Sequence, residues 1–134
     1  MSRDGPLALA LVAIAVGAVL GAWLRWGLSN WLNPRVPTLP LGTLAANLIG
    51  GYLVGIAAGV LVAMPGLAPV WRLFFVTGFL GALTTFSTFS AESVVLLQSA
   101  QWSAALLHIG LHLIGSIAAT VAGIATVRLL AIGG

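Results

Sequence analysis

Four long apolar stretches, separated by short segments rich in proline and glycine, constrain this chain of 134 residues more than any other feature. They cover about 6–28, 41–63, 70–97 and 102–132. A helix needs roughly 20 apolar residues to cross the ~30 Å hydrocarbon core of a bilayer, and each stretch has that length. Only 5% of the residues are charged. We therefore predict an all-α membrane protein with four transmembrane helices and a single transmembrane domain over 1–134.

Charge and cysteine content exclude several classes of protein. Five arginines against two acids give a formal net charge of +3, which in a soluble protein would suggest nucleic acid. Here the arginines lie beside apolar runs, where they anchor helix ends at the membrane surface, so we expect no nucleic-acid partner. The absence of cysteine excludes disulfides and thiolate metal sites. The sequence contains no nucleophile triad, carboxylate pair or phosphate loop, so an enzyme is not favoured.

The arginines also bear on orientation in the membrane. With four spans, Arg3, Arg72 and Arg128 lie on one side, and Arg25 and Arg35 lie on the other. The positive-inside rule needs a clearer difference than this to set one topology. One interpretation is that the chain inserts in both orientations and that oppositely inserted copies form an antiparallel, dual-topology homodimer. The other is a fixed topology set by weaker signals.

Residues 77–93, in the third apolar stretch, are rich in hydroxyl side chains. Such groups cost free energy in hydrocarbon unless they are hydrogen-bonded. Non-helical backbone at membrane depth occurs only where protein or water surrounds it. Gly78 and Gly81 precede the hydroxyl cluster and permit the helix to break, so this segment is the best candidate in the chain for a place where something polar crosses. The hydroxyl-bearing residues are Thr77, Thr84, Thr85, Ser87, Thr88, Ser90 and Ser93.

Span four carries polar side chains at a constant spacing of four residues: His108, His112, Ser116 and Thr120. This spacing places them near one helical face. Buried polar residues in membranes generally face the bundle interior or a cavity. Their N–H and O–H donors suit an anion, although the hydroxyls alternatively bond carbonyls of their own helix. The two histidines have the spacing of metal ligands, but the sequence shows no third ligand, which argues against a metal.

Further residues within the spans extend this set. Asn47 supplies an amide donor in an apolar stretch, or else it bridges two helices. Phe86 and Phe89 share one helical face; they either pack or direct their partially positive ring edges at a small anion. Glu92, the one acid within a span, is interpreted as a proton carrier, a charge at a pore mouth, or a partner for an arginine such as Arg25.

Three motifs resemble the Fluc, or CrcB, family of fluoride channels: GAWLRW at 21–26, GTLAANLIGGYLVG at 42–55 and TGFLGALTTFSTFSAE at 77–92. The likeness extends over about 15–130, and the TFSTFS string within the third motif is quite specific. The resemblance implies a multi-pass protein of the bacterial inner membrane that releases cytoplasmic fluoride passively. It also implies an antiparallel homodimer with two fluoride pathways and a broken third helix.

The resemblance implies roles for individual residues as well. Backbone carbonyls of Gly81 and Thr84 from both subunits would hold a structural sodium ion at the dimer centre. Arg25 and Glu92 would lie at the pore mouth. The fluoride pathway would be lined by Asn47, Phe86, Phe89, Thr88, His108, His112, Ser116 and Thr120.

Two proton-coupled transporters remain as alternatives. Small multidrug exporters are also short, four-span and dual-topology, but they rely on a glutamate in the middle of the first span, where this chain has only Arg25 near the end. A fluoride–proton antiporter would need a titratable group on the ion path, and His108 or His112 would supply one.

Overall fold

The computed structural model describes residues 6–133, so Arg3, counted above in the charge balance, lies outside the described part. The described chain consists of helices and short connections. Four helical spans are long and apolar enough to cross a membrane, which confirms the predicted all-α membrane class. Span one is Leu7–Leu32, continued by a 3₁₀ turn, Asn33–Arg35. Span two is Leu41–Ala63, span three is Pro69–Gln98, and span four begins at Trp102 and ends at Ile132.

Span one continues four residues beyond the predicted end at residue 28. No proline interrupts the chain until Pro34, so Ser29, which was expected to begin a loop, remains helical. The connection is then tied to span two, because the Gly42 N–H donates to the Asn33 side-chain oxygen at 2.7 Å.

Span three changes its backbone conformation along its length. A short α-helical turn, Pro69–Arg72, leads into a π-helix, Leu73–Leu80, and then into one further α-helical turn, Gly81–Leu83. Thr84 and Thr85 adopt extended conformations (φ −84°, ψ 151° and φ −151°, ψ 118°). The helix resumes at Phe86–Gln98. The span therefore has a first half, 69–83, and a second half, 86–98, separated by two extended residues at membrane depth.

Glycines bring the helices into backbone contact within one chain. A Cβ added to Gly17 would overlap the Phe74 carbonyl oxygen, and one added to Gly21 would overlap that of Phe79, so span one packs directly on the first half of span three. Gly55 of span two meets Gly123 of span four in the same way. Small residues at such spacing permit close helix approach. In this structure they serve packing inside the protomer.

The burial pattern is that of a membrane bundle. Five tryptophans and many aliphatic side chains are exposed on the outside, where lipid would surround them. The buried set is small and includes four polar side chains: Thr43, Ser93, His108 and His112. Polar groups thus collect inside, between spans two, three and four, and they position the site described next.

The link between spans three and four is a tight helix-ending motif. The N–H of Ala100 donates to the Leu97 carbonyl, and the N–H of Gln101 donates to the Leu96 carbonyl. This is the double hydrogen-bond pattern of a Schellman motif, which places one residue in the left-handed region. That residue is Ala100, with φ 54°. The chain reverses direction within three residues, so spans three and four are neighbours.

Candidate functional site

The two extended residues of span three are held by one side chain from span two. The Thr85 N–H donates to Asn47 Oδ1 at 2.8 Å, and Asn47 Nδ2 donates to the Thr85 carbonyl at 3.0 Å. Because the backbone N–H requires an acceptor, this pair sets the orientation of the amide. Asn47 Oδ1 therefore replaces the acceptor that the Thr85 N–H would find in a continuous helix, and Asn47 Nδ2 adds a bond to the Thr85 carbonyl at the start of the next helix. Asn47 bridges helices, as one of the two sequence interpretations held.

Asn47 also reaches span four. Its Nδ2 lies 3.0 Å from His112 Nδ1. Both Nδ2 hydrogens are then used, one by the Thr85 carbonyl and one by the imidazole. Since Nδ2 can only donate, Nδ1 of His112 accepts and the ring proton resides on Nε2. The amide thus links three spans and sets the tautomer of a buried histidine.

A cavity of about 590 Å³ opens beside this junction, bordered by spans two, three and four. Five of the predicted pathway residues lie on its wall. None of the residues that line it is a lysine or an arginine. Thr84 and Thr85 contribute at the helix interruption. The predicted residues that share this cavity are Asn47, Phe86, Phe89, His112 and Ser116.

An aromatic stack forms one side of the cavity. The Phe89 ring stacks on His112 with centroids 4.6 Å apart, and it lies 5.5 Å from the His108 ring. Phe86 meets Phe89 edge to face at 5.5 Å, yet its side chain is 79% exposed. Phe89 is therefore packed into the bundle, whereas Phe86 projects from the surface of the protomer.

Glu92 lies behind this stack, with a hydrogen bond to Thr43 on one side and His108 close by on the other. Thr43 Oγ1 donates to Glu92 Oε1 at 2.6 Å, and Glu92 Oε2 lies 3.4 Å from His108 Nε2. Of the three interpretations that the sequence left open for Glu92, the one that pairs it with Arg25 is wrong. Arg25 Nε instead donates to the Ala82 carbonyl at 3.0 Å, just before the helix interruption. The Ala82 carbonyl lies at the end of a helical turn, where carbonyls lack an intrahelical partner and accept from side chains.

The interruption also frees two further carbonyls. In a continuous helix the Gly81 carbonyl would accept from the Thr85 N–H, which donates to Asn47 instead. The Thr84 carbonyl would accept from the Thr88 N–H, which donates to the Thr85 hydroxyl at 3.1 Å. Oxygen ligands of this kind suit a hard cation, so Gly81 and Thr84 fit the predicted sodium site chemically.

The remaining predicted pathway residues occupy different positions. Thr120 Oγ1 lies 3.0 Å from both the Gly51 and the Ser116 carbonyls, so its one hydrogen is directed at backbone oxygen, as the alternative interpretation held. The Thr88 hydroxyl accepts from Thr85 Oγ1 at 3.2 Å. His108 contacts Phe89 and Glu92 and does not border the cavity. The pathway roles of these residues stay predictions.

Sequence reasoning missed two participants, Thr43 and the backbone of Thr85. Thr43 lies four residues before Asn47, so both side chains occupy one face of span two. That spacing within GTLAAN could have indicated Thr43 as a residue of the same site. The role of Thr85 depends on its backbone, which carries no signature in the side chain.

Comparison with known proteins identifies the family of this chain. Residues 12–124 match the family described as CrcB-like protein, Camphor Resistance (CrcB). A protein of Cupriavidus pinatubonensis (strain JMP 134 / LMG 1197), named fluoride-specific ion channel FluC, is 56% identical over 127 residues, covering 95% of this chain and 99% of that protein. This chain belongs to the CrcB family.

Two other CrcB relatives carry the same name. The protein of Chromohalobacter salexigens is 58% identical over 118 residues, covering 88% of this chain and 89% of its own. That of Pseudomonas syringae pv. maculicola is 52% identical over 120 residues, covering 90% of this chain and 94% of its own. The resemblance drawn from the three motifs is thus confirmed at family level. All three CrcB relatives are named as ion channels and not as enzymes.

Proposed function

We propose that this chain is a fluoride-specific ion channel that lets cytoplasmic fluoride leave the cell passively across the bacterial inner membrane. The observation that carries the proposal is the cavity beside Asn47. It brings together amide, hydroxyl, imidazole and aromatic groups without a cationic side chain on its wall. The three relatives named as fluoride-specific ion channels support the same function.

The physical chemistry of fluoride explains this choice of groups. Fluoride is small and strongly hydrated, so a pathway must replace its water with other donors. Aromatic ring edges, such as those of Phe86 and Phe89, are partially positive and attract an anion without a formal charge. A lysine would bind the ion more tightly and slow its release, whereas conduction needs weak sites. A passive path of this kind exports fluoride that entered as the neutral acid and ionised inside.

The second part of the proposal is an antiparallel, dual-topology homodimer with two pathways. The nearly balanced arginines support insertion in both orientations. Phe86 is an exposed aromatic beside the cavity, and a partner subunit would cover it. Mapping a terminal tag tests this, since accessibility from one compartment alone would exclude dual insertion.

The third part is a structural sodium ion at the centre of that dimer. The carbonyls of Gly81 and Thr84, whose usual N–H donors are engaged elsewhere, would hold it together with those of the partner subunit. When bound, the ion supplies positive charge that offsets converging carbonyl dipoles. The exposed position of Gly81 at the protomer surface agrees with a site shared between two copies.

Efflux from liposomes tests the function directly. Vesicles loaded with fluoride and containing the purified protein are clamped with valinomycin and potassium, and release is followed with a fluoride electrode beside a chloride control. We expect rapid, voltage-driven fluoride release without chloride release. Slow release coupled to proton movement would favour the antiporter or exporter alternatives, which the names of the relatives do not favour.

A further inference from the structure

We propose that Glu92, His108 and His112 form a binding site for a divalent transition metal of the zinc type, distinct from the sodium site above. Each residue offers one ligand atom, and these atoms lie within 4.8 Å of one another. From the sequence, a metal was disfavoured because the two histidines had no third ligand. The fold supplies Glu92 as that ligand, because the second half of span three packs beside span four.

Burial makes the three ligand atoms unusual. His108 is 2% exposed and His112 is 4% exposed. Within the described residues, His108 Nε2, His112 Nε2 and Glu92 Oε2 are buried and have no hydrogen-bond partner. Unsatisfied polar atoms are costly at membrane depth. One cation between them would be ligated by Glu92 Oε2 and His108 Nε2, and by His112 Nε2 once that nitrogen has lost its proton.

The donor set selects the metal class. Two imidazoles and one carboxylate suit zinc and its neighbours cobalt, nickel and copper, whereas magnesium and calcium prefer oxygen alone. Ligands about 2.0–2.1 Å from a tetrahedral zinc ion lie roughly 3.4 Å from one another. The distance from His108 Nε2 to Glu92 Oε2 is 3.4 Å. Two of the three ligands therefore already have the required separation.

Asn47 opposes metal binding at the third ligand. Its Nδ2 donates to His112 Nδ1, which places the ring proton on the Nε2 that would ligate the metal. Binding therefore requires that proton to move and the Asn47 contact to be lost. A carboxylate in place of the amide would accept a proton on Nδ1 and orient the ring, as carboxylates do behind many zinc-bound histidines. Asn47→Asp should thus strengthen metal binding.

Direct binding measurement tests the proposal independently of fluoride conduction. The protein is purified without a histidine tag, because the chain itself has only two histidines, and zinc is titrated by calorimetry in detergent. We expect one zinc ion per protomer, with affinity reduced roughly tenfold or more in Glu92→Gln and in His112→Gln. Asp4→Asn, which alters the only other acid of the chain, is the matched control and should bind as the wild type does.

Cobalt gives a test that needs no variant. Wild-type protein titrated with Co²⁺ should develop the visible absorption bands of a tetrahedral site with nitrogen and oxygen ligands. Absence of these bands, absence of saturable zinc binding, or binding that Glu92→Gln and His112→Gln leave unchanged would each overturn the proposal.

A second readout rests on the proposed function. His112 borders the cavity, so a bound dication would hold fluoride there and slow its efflux, and a chelator should restore the rate. Failure of wild-type vesicles to conduct fluoride would refute the channel and leave the metal site standing. Conduction without saturable zinc binding would refute the metal site and leave the channel standing.

Discussion

The two halves of span three are attached to the bundle in different ways. The first half packs against bare glycine backbone on span one, at Gly17 and Gly21, and these contacts are steric, with one hydrogen bond from Arg25 to the Ala82 carbonyl at its end. The interruption bonds Asn47 of span two through Thr85, and the second half meets spans two and four through Glu92 and the histidines; these contacts are polar, and some of the polar atoms have no hydrogen-bond partner. The first arrangement holds the fold, whereas the second leaves groups available to an ion. Substitutions in the two halves should therefore separate stability from transport.

The largest effect is expected at the steric contact. A Cβ in Gly21→Ala would collide with the Phe79 backbone carbonyl, and backbone cannot move aside as a side chain does. We expect a loss of about 3 kcal/mol or more, comparable to severe overpacking. The yield of monodisperse protein and its thermal unfolding midpoint measure this effect.

Gly27→Ala is the matched control on the same helix, because no atom lies within 4 Å of its added Cβ. It should be neutral or slightly stabilising. Equal yields and equal unfolding midpoints for Gly21→Ala and Gly27→Ala would show that the Gly21 contact does not hold the first half in place.

The next largest effect is expected at the polar junction. Asn47→Asp keeps an acceptor for the Thr85 N–H but places a second acceptor against the Thr85 carbonyl, 3.0 Å away. The added negative charge also repels an anion in the cavity. Fluoride efflux from vesicles should fall by about tenfold or more, which corresponds to roughly 1.4 kcal/mol.

Chromatographic behaviour near that of the wild type is expected for Asn47→Asp, because the acceptor bond remains. A variant that conducts at the normal rate would remove Asn47 from the ion path. A variant that fails to fold would show that this junction, like the glycine contacts of the first half, is needed for stability.

Aromatic residues of the two halves give the third test. Phe89→Ile removes a ring edge from the cavity while keeping apolar volume, so efflux should fall several-fold with the fold retained. Phe75→Ile is the matched control, since its ring stacks on Trp71 away from this cavity. Vesicle efflux should distinguish them, and equal rates would contradict an aromatic contribution to conduction.

A smaller effect on fluoride efflux is expected at Thr43. Thr43→Val removes the hydroxyl that holds Glu92 at 2.6 Å, at a cost of about 1–3 kcal/mol for a buried group that loses its partner. Thr43→Ser keeps the donor. Efflux should decrease with valine and recover with serine. Identical rates in both variants would make the Thr43 contact with Glu92 irrelevant to transport.

The smallest effect is expected at the link between spans three and four. Ala100 has φ 54°, where glycine is free of strain, so Ala100→Gly should stabilise the protein by about 1 kcal/mol. Ala91→Gly, within the second-half helix, should destabilise it by a similar amount. Unfolding midpoints measure both changes, and efflux should change in neither. A lower midpoint for Ala100→Gly would contradict the strain at this turn.

Sequence alone predicts the four spans and the family, because hydropathy and local motifs are written along the chain. It also indicates Asn47 and the polar face of span four. It could not pair Glu92 with Thr43 and His108, because that contact depends on how three helices pack. The end of span one was placed too early, since polar residues after residue 28 resemble a loop until the structure shows them helical. Which helix each glycine contacts likewise depends on tertiary packing.

The bond between Asn47 and Thr85 has a consequence for biogenesis. The Thr85 N–H finds its substitute acceptor only on a docked neighbour, so an isolated third segment leaving the translocon should form one continuous helix. The interruption would then arise late, as the bundle assembles in lipid. An isolated peptide of this segment in lipid should show helical backbone at Thr84 and Thr85 by nuclear magnetic resonance, whereas both residues are extended in the assembled protein.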